Sequence, residues 1–453
     1  MTCVEELAGF VHASTFEEMS GLAVEQLKIR VLDALGCGIG ALQSQPVKAM
    51  RKLESEFGGS SLCTLIGGGK TAPDRATLIN SALIRYLDFN DSFLSRGETC
   101  HPSDNIASVL AASECAEASG KNFLLALAVA YQVQCRLSEV APVRERGFDH
   151  VTQGAYAVAA GVSKALGIDT AKTANAIAIC GASLNALRVT RTGKLSNWKG
   201  LAYPFMASCA LHGVFFAKEG ITGPLEVFEG NKGFMDSIAG PFEIDWGREN
   251  LEAVNRTILK KFNAEIHSQS AIDCILSLRK TQGIRAENVD RIDVKIFDVA
   301  YNIIGGGEEG DKKLVRTKEE ADHSLPYILS AALIDGEVTP EQYMPRRIMG
   351  SDVQTLLTKI QIHPSKEFSG RFPNAVPCEI TIRLKDGKSV SRFVEDYEGF
   401  QTRPMSFANA TKKFNSLVRS FVDEDRKKRI VDAVTHLEEI EIWRLMESLN
   451  FNS

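Results

Sequence analysis

Between Asn80 and Asn105 the chain gathers acids, amides and a histidine in a stretch that opens as an apolar helix. Ile84, Leu87, Asp91 and Leu94 follow one another at intervals of three, four and three, which predicts that Asp91 shares a helical face with three apolar side chains. A carboxylate on a core-facing stripe needs a partner or a task. A polar loop from Arg96 to Asp104 follows, and within it His101 precedes Pro102. Proline biases the residue before it away from helical geometry, so the imidazole falls at a break in the chain. An acid and a base together at a helix end have the makings of a proton-transfer site. The plainer alternative is a buried aspartate that caps the loop after it.

The chain has eight histidines, and four of them, His101, His150, His267 and His323, stand in polar, irregular contexts. No His-x-x-x-His or other metal-ligand spacing occurs, so these side chains point to acid–base work and not to a metal. Lys199 follows Trp198 at the start of a predicted helix, where a cation is unfavourable unless an anion offsets it. A bound carboxylate would do so; a surface lysine beside an anchoring tryptophan is the other reading. Arg85, Arg188 and Arg191 are further candidates for anion contacts. The glycines offer no phosphate site. Gly67–Gly69 lacks the upstream glycine of a P-loop and reads as a turn, and Gly36, Gly38 and Gly40 read as a close helix–helix contact.

Composition narrows the function class. The 453 residues are 44% hydrophobic and 24% charged, with net charge -5, as in a globular protein with ample core and two or three domains. No basic tract suggests nucleic acid. The N-terminus lacks a signal or transit pattern, and the apolar run Phe123–Tyr131 is too short to span a bilayer. Ten cysteines lie singly without Cys-x-x-Cys spacing, which predicts a reducing cytoplasm and gives no support to a zinc or iron–sulfur site.

The elements that must position these groups are mostly helices. Helical periodicity covers Leu22–Leu42, Ile106–Ala118, Asn122–Val140, Gln153–Leu166, Ala171–Leu187 and Phe205–Glu219, with Ser103 and Thr170 as N-caps and Gly120, Gly167 and Gly220 as stops. After about residue 240 the character changes. Arg291–Phe297, Cys378–Leu384 and Ser389–Val394 alternate like strands, Ile360–His363 adds a short one, and Asp386-Gly387 marks a hairpin. Helices are predicted at Glu319–Asp335 and Asp352–Leu357, and again at Ser406–Val422, Asp425–Leu437 and Glu439–Leu449. The fold class is therefore mainly α. A large helical domain (1–265 and 402–453) is built from both chain ends, and a smaller α+β lid domain spans 266–401.

Leu87-Asp-Phe-Asn-Asp91, His101-Pro-Ser-Asp-Asn105, Trp198-Lys-Gly200, Ala264-Glu-Ile-His267, Asp322-His-Ser-Leu-Pro-Tyr327 and Arg403-Pro-Met-Ser406, taken in order, resemble the MmgE/PrpD family. That family includes 2-methylcitrate dehydratase, cis-aconitate decarboxylase and iminodisuccinate epimerase. The resemblance implies a helical domain and an α+β lid with the site between them, a homodimer, and chemistry without metal or organic cofactor on a small di- or tricarboxylate. On the family's pattern, Asp91, His101, His150 and Lys199 come from the helical domain, His267 from near the junction and Tyr327 from the lid. The expected roles are proton transfer by His101 or His267, orientation or tuning of a histidine by Asp91, and donation to the leaving group or closure of the site by Tyr327. Lys199, His150 and Arg85 are expected to hold the substrate. A hydro-lyase of the 2-methylcitrate dehydratase kind is the leading expectation. A decarboxylase or an epimerase is the alternative within the family, and an inactive carboxylate-binding homologue the alternative outside enzymology. The segment Ser92–Cys100 departs from the text typical of 2-methylcitrate dehydratases, so substrate choice is expected to be decided there.

Overall fold

In the computed structural model, which describes residues 1–451, the chain falls into two units. The first comprises Met1–Thr190, Gly200–Thr257 and Ser406–Ser453, the second Arg191–Lys199 and Ile258–Met405. The fold is mainly α.

Small residues let the helices of the first unit approach closely. Gly36 and Gly40 on the helix Gly21–Gly40 face the helix Phe407–Val418: a Cβ on Gly36 would lie 3.1 Å from the Phe414 ring, and one on Gly40 3.5 Å from the Leu417 carbonyl. The same helix pair buries an ion pair, Lys413 Nζ to Asp33 Oδ1 at 2.7 Å. The long helices Gly120–Val140 and Val151–Leu166 meet at Gly161, where a Cβ would stand 2.8 Å from that of Ala130. The helix Trp198–Lys218 is long and apolar enough to cross a membrane, but 61% of its apolar window is buried within the protein.

Around the candidate residues the structure departs from the helical periodicity. The helix Pro73–Tyr86 ends before Asp91, and Asp88 adopts a left-handed φ of 53°. Asp91 is therefore not on a helical stripe; the spacing of Ile84, Leu87 and Leu94 is a coincidence running across a chain reversal. After β1 (Cys63–Thr64) and β2 (Lys70–Thr71), which flank the Gly67–Gly69 turn, a second small hairpin forms from β3 (Phe93–Ser95) and β4 (Glu98–Cys100). It turns through Gly97 at φ 86°, a conformation that suits glycine. Ser103 sits inside a short 3-10 turn, Pro102–Asn105, and Asn105, not Ser103, precedes the helix Ile106–Cys115. Asp169, not Thr170, caps Thr170–Ser183. Gly120 starts a helix instead of stopping one, because its N–H donates to the Ile440 carbonyl at 2.8 Å and a Cβ there would collide with the Leu437 carbonyl.

The second unit carries a four-stranded sheet in the order β6-β5-β7-β8, formed by β5 (Val289–Ile296), β6 (Ile360–Pro364), β7 (Cys378–Leu384) and β8 (Ser389–Val394). β5 and β6 run parallel and the other neighbours antiparallel. Ile292, Val294, Ile296, Ile380 and Ile382 are all fully buried, as the alternation predicts. The predicted helix Glu319–Asp335 is two helices, Lys318–Ala321 and Leu325–Asp335. Ser324 caps the second and Pro326 lies in its first turn, which leaves Asp322 and His323 at the break.

Gly36→Val should lower the thermal midpoint, with overpacking against Phe414 costing about 1–3 kcal/mol. Gly9→Ala, where a Cβ meets nothing within 4 Å, should be neutral or slightly stabilising. Differential scanning calorimetry of the two variants checks the contrast.

Candidate active site

In the first unit, the polar stretch that follows the helix Pro73–Tyr86 is buried and closed by its own hydrogen bonds. Asp91 is fully buried, and its carboxylate accepts from the Ser103 N–H at 3.0 Å and the Tyr131 hydroxyl at 2.8 Å. Burial pushes its carboxyl up, and the Ser103 and Tyr131 bonds act against that rise. Asn90 donates to Ser103 Oγ and Asp104 Oδ1, both at 2.8 Å. Arg85, expected to hold substrate, is 2% exposed and engaged by the protein itself: its guanidinium lies 2.7 Å from Asp88 and 3.5 Å from Asp104. It belongs to the scaffold.

His101 emerges from this network with a defined tautomer. Its Nδ1 is 2.7 Å from the Asp91 backbone carbonyl, with Ser92 Oγ at 3.0 Å. A carbonyl only accepts, so Nδ1 carries the proton, and in the neutral ring Nε2 carries the lone pair. Asp91 thus orients the histidine as expected, but through its main chain; its carboxylate fastens the loop instead. The His150 ring stands edge-on to His101 with centroids 5.3 Å apart and stacks on Tyr203 at 6.2 Å. His150 precedes the helix Val151–Leu166, with Asp149 at 3.6 Å from its Nε2, and Arg188 in turn 3.6 Å from Asp149. Gly154 allows Tyr203 to approach, since a Cβ there would lie 2.4 Å from that ring. The Tyr203 hydroxyl donates to Asn105 Oδ1 at 2.9 Å. The structure therefore brings Asp91, His101 and His150 together.

The second unit holds another cluster. Lys199, expected from the helical domain, groups with this unit. The anion that offsets its charge is the protein's own Asp322, whose Oδ1 lies 2.7 Å from Nζ; His323 Nδ1 is 2.9 Å from the same nitrogen. Arg191 donates to the Lys199 carbonyl and Asn197 to Glu319, which ties the segment down. Gln269 clamps the chain ahead of Glu265 by accepting from the N–H groups of Lys261 and Phe262. Glu265 then accepts from the His267 backbone N–H at 2.8 Å and from its Nδ1 at 2.6 Å. His267 Nε2 is buried without a hydrogen-bond partner among the described residues. Burial alone would raise Glu265, but His267, His323 and Lys260 outweigh it and hold its carboxyl at about 2. Tyr327 does not fit the role of donor to a leaving group. It is fully buried, and its hydroxyl donates to the Gln342 carbonyl.

Sequence reasoning assigned no role to Glu265, Asp322, Tyr131 or Tyr203, and singled out His323 as an acid–base candidate without placing it in the site. The spacing Glu265-x-His267 and the pair Asp322-His323 beside a Ser-x-Pro helix start were the signals available; nothing local marks the two tyrosines.

The MmgE/PrpD N-terminal domain matches residues 5–247 and the MmgE/PrpD C-terminal domain residues 262–439. The chain belongs to the MmgE/PrpD family. Among its relatives, the cis-aconitate decarboxylase of Mus musculus is 24% identical, over 96% of this chain and 91% of its own length. The 2-methylcitrate dehydratase of Salmonella typhi is 26% identical over 93% and 91%, and that of Escherichia coli K12 27% over 85% and 83%. These MmgE/PrpD relatives carry two different chemistries at similar identity, so similarity supports the family and leaves the reaction to the residues.

The depressed Glu265 carboxyl makes a directional prediction. Its folded value lies below the ordinary 4.5, so the stability it contributes is complete above about 4.5 and is lost as the pH falls from there through about 2. In urea unfolding series, Glu265→Gln should be less stable than the wild type at pH 6, and the gap should narrow steadily between pH 4.5 and 3. A gap independent of pH would mean that Glu265 is not charged against His267.

Proposed function

We propose that this chain is a hydro-lyase that removes water from a citrate-like tricarboxylate by general acid–base catalysis, without metal or organic cofactor. The observation that carries the reading is His101, whose Nδ1 proton is held by the Asp91 carbonyl so that Nε2 is the basic nitrogen. A carbon next to a carboxylate is a very weak acid, and removing its proton loads charge onto that carboxylate. Lys199 and a protonated His150 are the groups to receive it, and His101 and His267 the groups for the two proton transfers. The single, scattered cysteines and the histidine spacing support chemistry without a bound metal, and the cysteines also support a cytoplasmic setting. A decarboxylase is the second reading, favoured by the similarity to cis-aconitate decarboxylase along 96% of the chain.

The decisive experiment incubates chelator-treated protein with 2-methylcitrate, citrate, cis-aconitate and iminodisuccinate, and follows the products by NMR. The hydro-lyase reading expects an unsaturated tricarboxylate formed with loss of water. Release of carbon dioxide would move the chain to the decarboxylases, and inversion of iminodisuccinate to the epimerases. Stabilisation by an acid without turnover would leave a carboxylate-binding protein. Activity lost to chelator and restored by metal would sink the cofactor-free part. His101→Ala should fold normally and lose at least about tenfold in kcat, given that a general base is typically worth ~10²–10⁴-fold; normal turnover would remove His101 from the mechanism.

A homodimer is part of the same proposal. Leu201, Phe205, Cys209, His212 and Phe216 line one face of the helix Trp198–Lys218, with Phe205 52% and Phe216 51% exposed. Light scattering should give the mass of two chains, and Phe205→Glu with Phe216→Glu should give that of one.

A further inference from the structure

Asp322 is fully buried at the break between the helices Lys318–Ala321 and Leu325–Asp335. Three nitrogens converge on its carboxylate: Lys199 Nζ at 2.7 Å and His323 Nδ1 at 2.9 Å on Oδ1, and Lys318 Nζ at 2.7 Å beside Oδ2. Its backbone carbonyl accepts the Glu265 N–H at 3.1 Å. One residue therefore faces two ammonium groups and an imidazole with its side chain, and pins the start of the Glu265–His267 pair with its main chain.

We propose that Asp322 is a positioning residue that fixes the placement of Lys199 and the proton arrangement of His323. Lys199 Nζ, Asp322 Oδ1 and His323 Nδ1 lie within 2.9 Å of one another. An ammonium only donates and a carboxylate only accepts. Nδ1 is the one atom of the three able to do either, so the ammonium and the carboxylate compete for it, and removing the carboxylate tips Nδ1 toward accepting from Lys199. Without it, Lys199 would lose its bond to Oδ1, and His323 Nδ1 would face the Lys199 ammonium without that carboxylate beside it.

The other charged groups of this unit do not substitute for Asp322. Glu265 is paired with His267. Lys260 and Lys312 add positive charge, and Lys312 is itself influenced by Glu309, Glu265 and Asp322. Glu319 is bonded to Asn197. The carboxylate closest to Lys199 and His323 in this unit is Asp322, and the direction of its own shift agrees, since Lys199, Lys318 and His323 outweigh burial and hold it well below the usual range.

The test uses the full chain in two forms. Asp322→Asn keeps the shape and removes the charge. Asp322→Asn combined with Lys318→Met removes one anion and one cation together, so that net charge is unchanged if the single variant fails to fold. The first readout is 15N NMR of the histidine rings, with His323 assigned by the loss of its signals in His323→Gln. The ring signals of His323 should move in both Asp322 variants, while those of His101 should not. The second readout is kcat/KM for whichever acid the wild type converts, expected to fall at least about tenfold in a folded variant. The kinetic arm rests on the hydro-lyase reading. If the wild type converts no acid, that reading fails, and the NMR arm alone decides the role of Asp322. A folded variant with wild-type His323 signals overturns the proposal, as does one with wild-type kcat/KM.

Discussion

A fully buried carboxylate calls for donors from the protein, and Asp91 shows how much structure that demand organises. Its two bonds come from a backbone N–H twelve residues on, at Ser103, and from the hydroxyl of Tyr131 on a long core helix. Leaving such an acceptor unmet costs about 1–3 kcal/mol or more for a charged group, so the reversal after Tyr86, the β3–β4 hairpin and the 3-10 turn of Pro102–Asn105 are held in one register. His101 inherits its place from that closure. The carbonyl that fixes its proton belongs to the residue whose side chain fastens the loop, so neither can shift without the other.

The second unit solves a related problem with opposite charges. There, nitrogens are gathered around acids: the Lys199 and Lys318 ammonium groups and the His323 ring around Asp322, and the His267 ring on Glu265. His101 is oriented by a neutral carbonyl and His267 by a carboxylate. Both partners only accept, so in each ring Nδ1 carries a proton.

Much of this was legible in the sequence, for identifiable reasons. Alternation located β5, β7 and β8, and Asp386-Gly387 located the hairpin between β7 and β8, because one face of that sheet is buried and the period is two. The glycine triplet on Gly21–Gly40 was rightly a contact surface. Periodicity failed at Asp91 because it cannot see a left-handed residue such as Asp88, and it fused Lys318–Ala321 with Leu325–Asp335 because the cap at Ser324 is a local signal lost in an apolar run. Among the candidate residues, His101, His150, Lys199 and His267 were singled out by residue type. For Arg85 and Tyr327, type could not say what the side chain meets: Asp88 and Asp104 in one case, the Gln342 carbonyl in the other.

The first unit is assembled from both ends of the chain, and this bears on how the protein is made. The helix Gly21–Gly40 leaves the ribosome early, with Asp33 and the bare backbone at Gly36 and Gly40 turned toward a partner, Phe407–Val418, that does not yet exist. At ~5–20 residues per second, tens of seconds pass before Lys413 arrives to neutralise Asp33. Until then Asp33 has no Lys413 to pair with and the glycine face has no Phe407–Val418 to pack against, while most of Ile258–Met405 has already been synthesised. The packing of the first unit, which holds the His101–His150 cluster, is thus complete only once Phe407–Val418 has been made.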